Sequence, residues 1–122
     1  MTTLLLIDDD EKVLSFLCKT LTKEGYDLVT ATDGAEALKT IRNRQVRLVI
    51  TDIFMPGMDG MELIRTLKQD HAEVPIIAIS GGGAGGHKDY YLSAADAFGA
   101  DRVLAKPFTP TELRDAVRAL LV

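Results

Sequence analysis

Leu4-Leu5-Leu6-Ile7-Asp8-Asp9-Asp10-Glu11 sets four apolar side chains in a row and then four acidic ones. An apolar run this short is too brief for a helix and reads as a buried strand that stops at Asp8. Immediately afterwards Val13, Leu14, Leu17 and Leu21 recur at helical spacing as far as Glu24, and Gly25 stands where a left-handed residue would close a helix. The stretch is therefore a strand feeding a helix, with a cluster of carboxylates at the turn between them.

Outward from this unit the pattern repeats. Leu28 to Ala31 reads as a strand, Asp33 to Arg42 as a helix whose Asp33 and Glu36 resemble a capping box, and Arg47 to Thr51 as a third strand. A proline-and-glycine loop, Phe54 to Gly60, leads into a helix through about Gln69 with Met61, Ile64 and Leu67 inward, then a strand from Pro75 to Ile79. After Ser80 comes Gly81-Gly82-Gly83-Ala84-Gly85-Gly86, followed by a helix expected from about Tyr90 to Phe98 with Gly99 as its cap. Arg102 to Ala105 gives a fifth strand. Thr109 as N-cap, Pro110 at the first helical position and Glu112 completing a capping box open a last helix, with Leu113, Ala116, Val117, Leu120 and Leu121 as its buried face. Strands alternating with helices pair in parallel through right-handed crossovers, which predicts an α/β fold with a doubly wound five-stranded parallel sheet covered on both faces.

The 122 residues suffice for one domain. With 47% hydrophobic and 26% charged residues the chain can bury a core, so disorder is excluded. Fourteen Lys and Arg against 18 Asp and Glu leave a formal charge of -4, which gives no footprint for direct nucleic-acid or membrane binding. No apolar stretch approaches the ~20 residues of a membrane span, no secretory segment follows Met1, and a cytoplasmic location is expected. Cys18 stands alone, which fits a reducing compartment, and is expected to be a small core residue.

In a doubly wound sheet ligands sit beyond the carboxyl ends of the strands. Here those ends carry Asp8 and Asp9 after the first strand, Asp52 after the third, Ser80 after the fourth and Lys106-Pro107 after the fifth. Three carboxylates brought together repel unless a dication neutralises them, and hard oxygen ligands with open positions suit Mg²⁺. Asp52 could then attack phosphorus as a carboxylate nucleophile, with the Lys106 ammonium and the Ser80 hydroxyl stabilising charge on the phosphoryl oxygens. Asp10 and Glu11 are expected to favour the helix dipole instead of binding metal. His71 and His87 lack partners at metal spacing and are expected in exposed loops. Gly81, Gly83 and Gly86 spell a dinucleotide fingerprint, yet they follow the fourth strand and not the first, and Asp101 precedes a strand instead of ending one. Gly86-His87-Lys88-Asp89 also fails as a P-loop, so a mobile connector is the better account.

Taken together, Leu5-Leu6-Ile7-Asp8-Asp9-Asp10, Asp52-Ile53-Phe54-Met55-Pro56-Gly57-Met58-Asp59-Gly60, Ile79-Ser80, Gly99-Ala100-Asp101 and Lys106-Pro107-Phe108 resemble the response-regulator receiver domains of two-component signalling over essentially the whole chain, residues 1–122. The resemblance implies a CheY-like, flavodoxin-like sheet of order 2-1-3-4-5. It implies that Asp52 accepts a phosphoryl group from a sensor histidine kinase, a histidine phosphotransfer protein or a small acyl phosphate. Asp9, Asp52 and the backbone carbonyl of Phe54 would bind Mg²⁺ directly, and Asp8 mainly through water. Ser80 and Lys106 would meet the phosphoryl oxygens, the Lys106–Pro107 peptide would be cis, and a downstream protein target would read the change. Such a switch turns over no metabolite, so its chemistry is limited to its own phosphorylation and dephosphorylation.

Three features depart from the family pattern. Val103 stands three residues before the lysine, where the family commonly has the aromatic ring that follows the hydroxyl residue's movement. The connector after Ser80 is longer and richer in glycine than usual, with Tyr90 and Tyr91 as candidate substitute rings, and Phe54 and Gly82 stand at the two positions that in the family influence how water reaches the phosphoryl group. No output domain is visible, which leaves a stand-alone protein and a piece of a longer one both open. Two competing readings remain. One is a receiver-like scaffold that signals without phosphorylation, and the other a small Asp-nucleophile phosphatase, which would want a second Asp where Phe54 stands.

Overall fold

β1 (Thr3–Ile7) opens the chain's architecture and is wholly buried along its length. The computed structural model describes residues 2–53, 60–80 and 99–121. After β1 come α1 (Glu11–Thr22), β2 (Asp27–Ala31), α2 (Gly34–Asn43), β3 (Leu48–Asp52), α3 (Gly60–Asp70), β4 (Ile76–Ser80), β5 (Arg102–Ala105) and α4 (Pro110–Leu120). The strands form one parallel sheet of order β2-β1-β3-β4-β5, as the sequence and its family resemblance predict. The helix expected over 90–98 and the glycine-rich connector lie outside the described residues.

Because side chains alternate along a strand, the continuous apolar runs of β1, β3 and β4 feed two cores at once. Leu5, Ile7, Val49, Ile76 and Ala78 pack with Ile41 of α2 and Leu63, Ile64 and Leu67 of α3. Leu4, Leu6, Leu48, Ile50, Ile77 and Ile79 pack on the other face with Leu14, Leu17 and Leu21 of α1 and Leu113 and Val117 of α4. The two outer strands are less enclosed: β2 is mostly half-buried, and β5 runs from exposed Arg102 to half-buried Ala105.

Local chemistry fixes where each helix starts and stops. Asp10 caps α1 by accepting from the Lys12 N–H, and Asp33 caps α2 by accepting from the Glu36 N–H at 2.8 Å. α1 ends at Thr22, two residues short of the predicted end. Leu21 and Thr22 carbonyls close the turn that follows, and Gly25 takes the predicted left-handed φ of +87°. Gly99 likewise has φ +107°. At α4 the capping box is complete: the Thr109 hydroxyl accepts from the Glu112 N–H and the Glu112 carboxylate accepts from the Thr109 N–H, both at 3.1 Å. An Arg118–Glu24 ion pair ties α4 to the end of α1.

Two sequence expectations are corrected by packing. Cys18 is half-buried at the border of the α1 core, because Leu14, Leu17 and Leu21 already fill the inward stripe of that helix. His71 is half-buried, held by its N–H to the Leu67 carbonyl at 2.7 Å at the end of α3; His87 lies outside the described residues. No helix among the described residues is long and apolar enough to cross a membrane.

Replacing Thr109 by Ala removes one half of a reciprocal cap. The expected cost is about 1 kcal/mol, read as a lower urea midpoint with an unchanged denaturant slope.

Candidate functional site

Parallel strands in this order bring the carboxyl ends of β1 and β3 side by side, since Ile7 pairs with Thr51. The next residue on each strand is an aspartate. Asp8 is fully buried and Asp52 is 6% exposed, whereas Asp9 is exposed. Carboxylate oxygens of Asp8, Asp9 and Asp52 all lie within 4.8 Å of one another. The sequence-predicted acidic cluster is therefore assembled.

The Asp8 carboxylate is held asymmetrically. Its Oδ1 accepts the Asp10 N–H at 2.8 Å, while its Oδ2 is buried without a hydrogen bond and faces the Lys106 ammonium at 3.8 Å. Burial pushes its pKa up to about 6; the Asp10 N–H opposes this, Asp52 adds to it, Lys106 opposes and Asp9 adds. A buried carboxylate oxygen lacking a donor, beside two further carboxylates, is what a hard cation would satisfy, and the all-oxygen donor set suits Mg²⁺. Asp10 stays out of this group because its own carboxylate caps α1.

Lys106 reaches the cluster from the far side. Its N–H donates to the Ser80 carbonyl at 2.9 Å, extending the β4–β5 pairing by one residue, and its ammonium arrives at Asp8 past the ends of β4 and β3. The Lys106–Pro107 peptide is cis, as expected. Ser80 is fully buried at the end of β4. Val103 pairs with Ala78 and packs, half-buried, against the core under α2 and α3, so no ring fills that place on β5. Phe54 and its carbonyl, Gly82, Tyr90 and Tyr91 lie outside the described residues.

Gly60 matters more than its place at the end of a turn motif suggests. As the first residue of α3 it donates its N–H to the Ile53 carbonyl at 2.7 Å. A Cβ at Gly60 would sit 2.3 Å from the Asp52 carbonyl oxygen and 2.4 Å from the Ile53 Cα. Only glycine lets the start of α3 press against the backbone that carries Asp52. Beside the cluster, the Phe16 and Phe108 rings meet at 5.7 Å in a tilted pair, and with Lys12, Val13, Lys106 and Pro107 they line an apolar groove of about 340 Å³. Phe16 carries no motif in the sequence. Its place on the helical stripe beside Val13 is the one signal that points to it.

A family model described as the response regulator receiver domain matches residues 4–118. The chain belongs to that family. Similar curated proteins include the alkaline phosphatase synthesis transcriptional regulatory protein PhoP of Bacillus subtilis, 34% identical over 118 residues that take in 97% of this chain and 48% of the relative. The heme response regulator HssR of Staphylococcus epidermidis is 36% identical over 122 residues, covering 99% of this chain and 52% of the relative. The chain spans about half the length of these curated relatives. Among solved structures, the receiver domain of NtrX from Brucella abortus superposes with a TM-score of 0.90 at 32% identity, covering 97% of both chains. The chemotaxis response regulator CheY4 of Vibrio cholerae gives 0.85 at 28% identity over 99% of both. Receiver domains bind Mg²⁺ at an acidic pocket, and the Asp8, Asp9 and Asp52 group supplies such a pocket here.

Two predictions test this geometry. Gly60→Ala must displace backbone, so a loss of roughly 1–3 kcal/mol or more is expected in urea unfolding. The raised pKa of Asp8 means that the folded chain holds this proton more tightly than the unfolded chain, whose ordinary value is 3.8. Its contribution to stability is complete below that value and is lost as pH rises through about 6. Without divalent ions, stability relative to Asp8→Asn should fall across that window by on the order of 2–3 kcal/mol. Adding Mg²⁺ at neutral pH should recover it in the native sequence and not in the variant.

Proposed function

We propose that this receiver domain is a phosphorylation-controlled switch in which Asp52 is the phosphoacceptor. The observation that carries this reading is the grouping of Asp8, Asp9 and Asp52 with the Lys106 ammonium at 3.8 Å from the one Asp8 oxygen that lacks a hydrogen bond. Response regulators work with histidine kinases and downstream effectors, which defines the class of donor and of reader.

Asp8, Asp9 and Asp52 would hold Mg²⁺, with the Phe54 carbonyl as a further ligand. When bound, the ion would neutralise the carboxylates and draw charge from the phosphoryl oxygens. An Asp52 oxygen attacks phosphorus and the bond to the donor breaks; a phosphohistidine donor leaves as imidazole, with its electron pair taken up by a proton. Lys106 holds an ammonium against the charge developing on the phosphoryl group, and the Ser80 hydroxyl provides a donor from the neighbouring strand. Water later attacks phosphorus, the bond from phosphorus to the Asp52 oxygen breaks, and inorganic phosphate leaves with the carboxylate restored. The protein in this reading changes only itself and turns over no metabolite.

A phosphodonor protein would approach along the groove between α1 and the Lys106–Phe108 turn. That surface is apolar, it carries the Phe16–Phe108 pair, and it ends at Lys106 beside the acidic cluster. Kinase choice would then reside in α1 and this turn, and the response in a change of surface read by a downstream protein.

The test is intact-mass measurement after incubation with Mg²⁺ and phosphoramidate. A gain of one phosphoryl group is expected, absent in Asp52→Ala and without Mg²⁺. Lys106→Ala should slow the gain roughly 10²-fold. No adduct, together with no change in the amide NMR spectrum on adding beryllofluoride, would replace the switch by a scaffold that acts through partner binding alone.

A further inference from the structure

Far from the acidic cluster, at the opposite end of the sheet, one lysine ties three segments together. Lys68, in the last turn of α3, donates to the Asp101 carboxylate at 2.7 Å and to the Val74 carbonyl at 3.3 Å. The same Asp101 oxygen accepts the Ile76 N–H at 2.8 Å, and the Asp101 N–H donates back to the Ile76 carbonyl at 2.8 Å. The stem of Lys68 also lies across Gly99, where an added Cβ would come within 3.0 Å of its Cγ. α3, the start of β4 and the entry to β5 therefore meet at a single pair of charges, 23% and 36% exposed.

β5 needs such a fastening. Among the described residues it is a four-residue edge strand with β4 as its sole neighbour in the sheet, and none of its residues is fully enclosed. Register in a strand this short is weakly set by burial, and a slip of one residue turns every side chain to the opposite face. Asp101 fixes the entry of β5 against Ile76, and the Lys106 N–H fixes its exit against Ser80.

We propose that Lys68 and Asp101 are positioning residues for Lys106: their clasp sets the register of β5 and so delivers the Lys106 ammonium to the acidic cluster. This rests on the reading of Lys106 as a partner of the phosphoryl group. Neither residue touches the reacting atoms. A misplacement of Lys106 by even an ångström would be felt in the rate, because catalysis of this kind depends on preorganised charge.

The test pairs two measurements on Lys68→Met, which keeps the stem over Gly99, and Asp101→Asn, which keeps an acceptor for the Ile76 N–H. Amide hydrogen exchange should accelerate in β5 and remain unchanged in β1. The Mg²⁺-dependent rate of labelling by phosphoramidate should fall by roughly tenfold in the native background and hardly at all when Lys106→Ala is already present, since coupled residues are non-additive. Equal fractional slowing in both backgrounds would overturn the positioning role, because a general loss of stability acts whether or not Lys106 is there. Unchanged β5 exchange in both variants would overturn the clasp itself. If the native protein takes up no phosphoryl group, the reading of Asp52 fails, and faster β5 exchange still upholds the clasp.

Discussion

Three carboxylates held within 4.8 Å of one another, one of them fully buried, are the constraint on which the rest of the molecule turns. Asp8 is there because β1 stops where its apolar run stops, and it is buried because β1 has a strand on either side. Water cannot relieve its Oδ2, so the protein answers with a cation brought from another strand, and that cation, Lys106, sits 3.8 Å away. At that distance the answer is partial. The Asp8 carboxyl still holds its proton to about pH 6, which leaves the site poised to gain from a divalent ion.

The surroundings are built to keep that tension in place. Gly60 lets α3 begin against the Asp52 carbonyl, so the strand end bearing Asp52 is braced by backbone. Asp10 is spent on capping α1, which fixes the turn after Asp9 and supplies the N–H that engages Asp8 Oδ1. Stability and reactivity are opposed here in the usual way for a functional site: the same burial that raises the free energy of the Asp8 charge makes a cation or a transferred group bind usefully.

The sheet also separates roles by face and by end. Its carboxyl ends gather the chemistry. Its amino ends are tied by Lys68 and Asp101, whose bonds to Ile76 and Val74 hold the shortest and least enclosed strand. Val103 illustrates how a family pattern and a particular chain diverge. It takes a middle place on β5 and packs into the core under α2 and α3, so movement at Ser80 has no ring on that strand to follow it.

Much of this molecule is legible in its amino-acid sequence. Short apolar runs ended by Asp8, by Thr51-Asp52 and by Ser80, a Thr109-Pro110-Glu112 start and glycines at 25 and 99 are local signals, because strand burial, caps and left-handed turns depend on near neighbours. The identities of Asp8, Asp9, Asp52, Ser80 and Lys106 as strand-end residues follow from the same local signals. Contacts between residues far apart in the chain lie beyond them. That Lys106 faces Asp8, that Phe16 meets Phe108, that Cys18 falls at the border of its core and that Lys68 reaches Asp101 each depend on how layers pack. Gly60 shows the division most sharply. Its residue type is written in the sequence, but the need for it arises only where a helix start is pressed onto the backbone of Asp52. The sequence by itself determined the order and kind of elements and the chemistry available at their ends. Only the tertiary structure decided which charge answers which, because that depends on distance and burial, and neither exists until the helices have closed on both faces of the sheet.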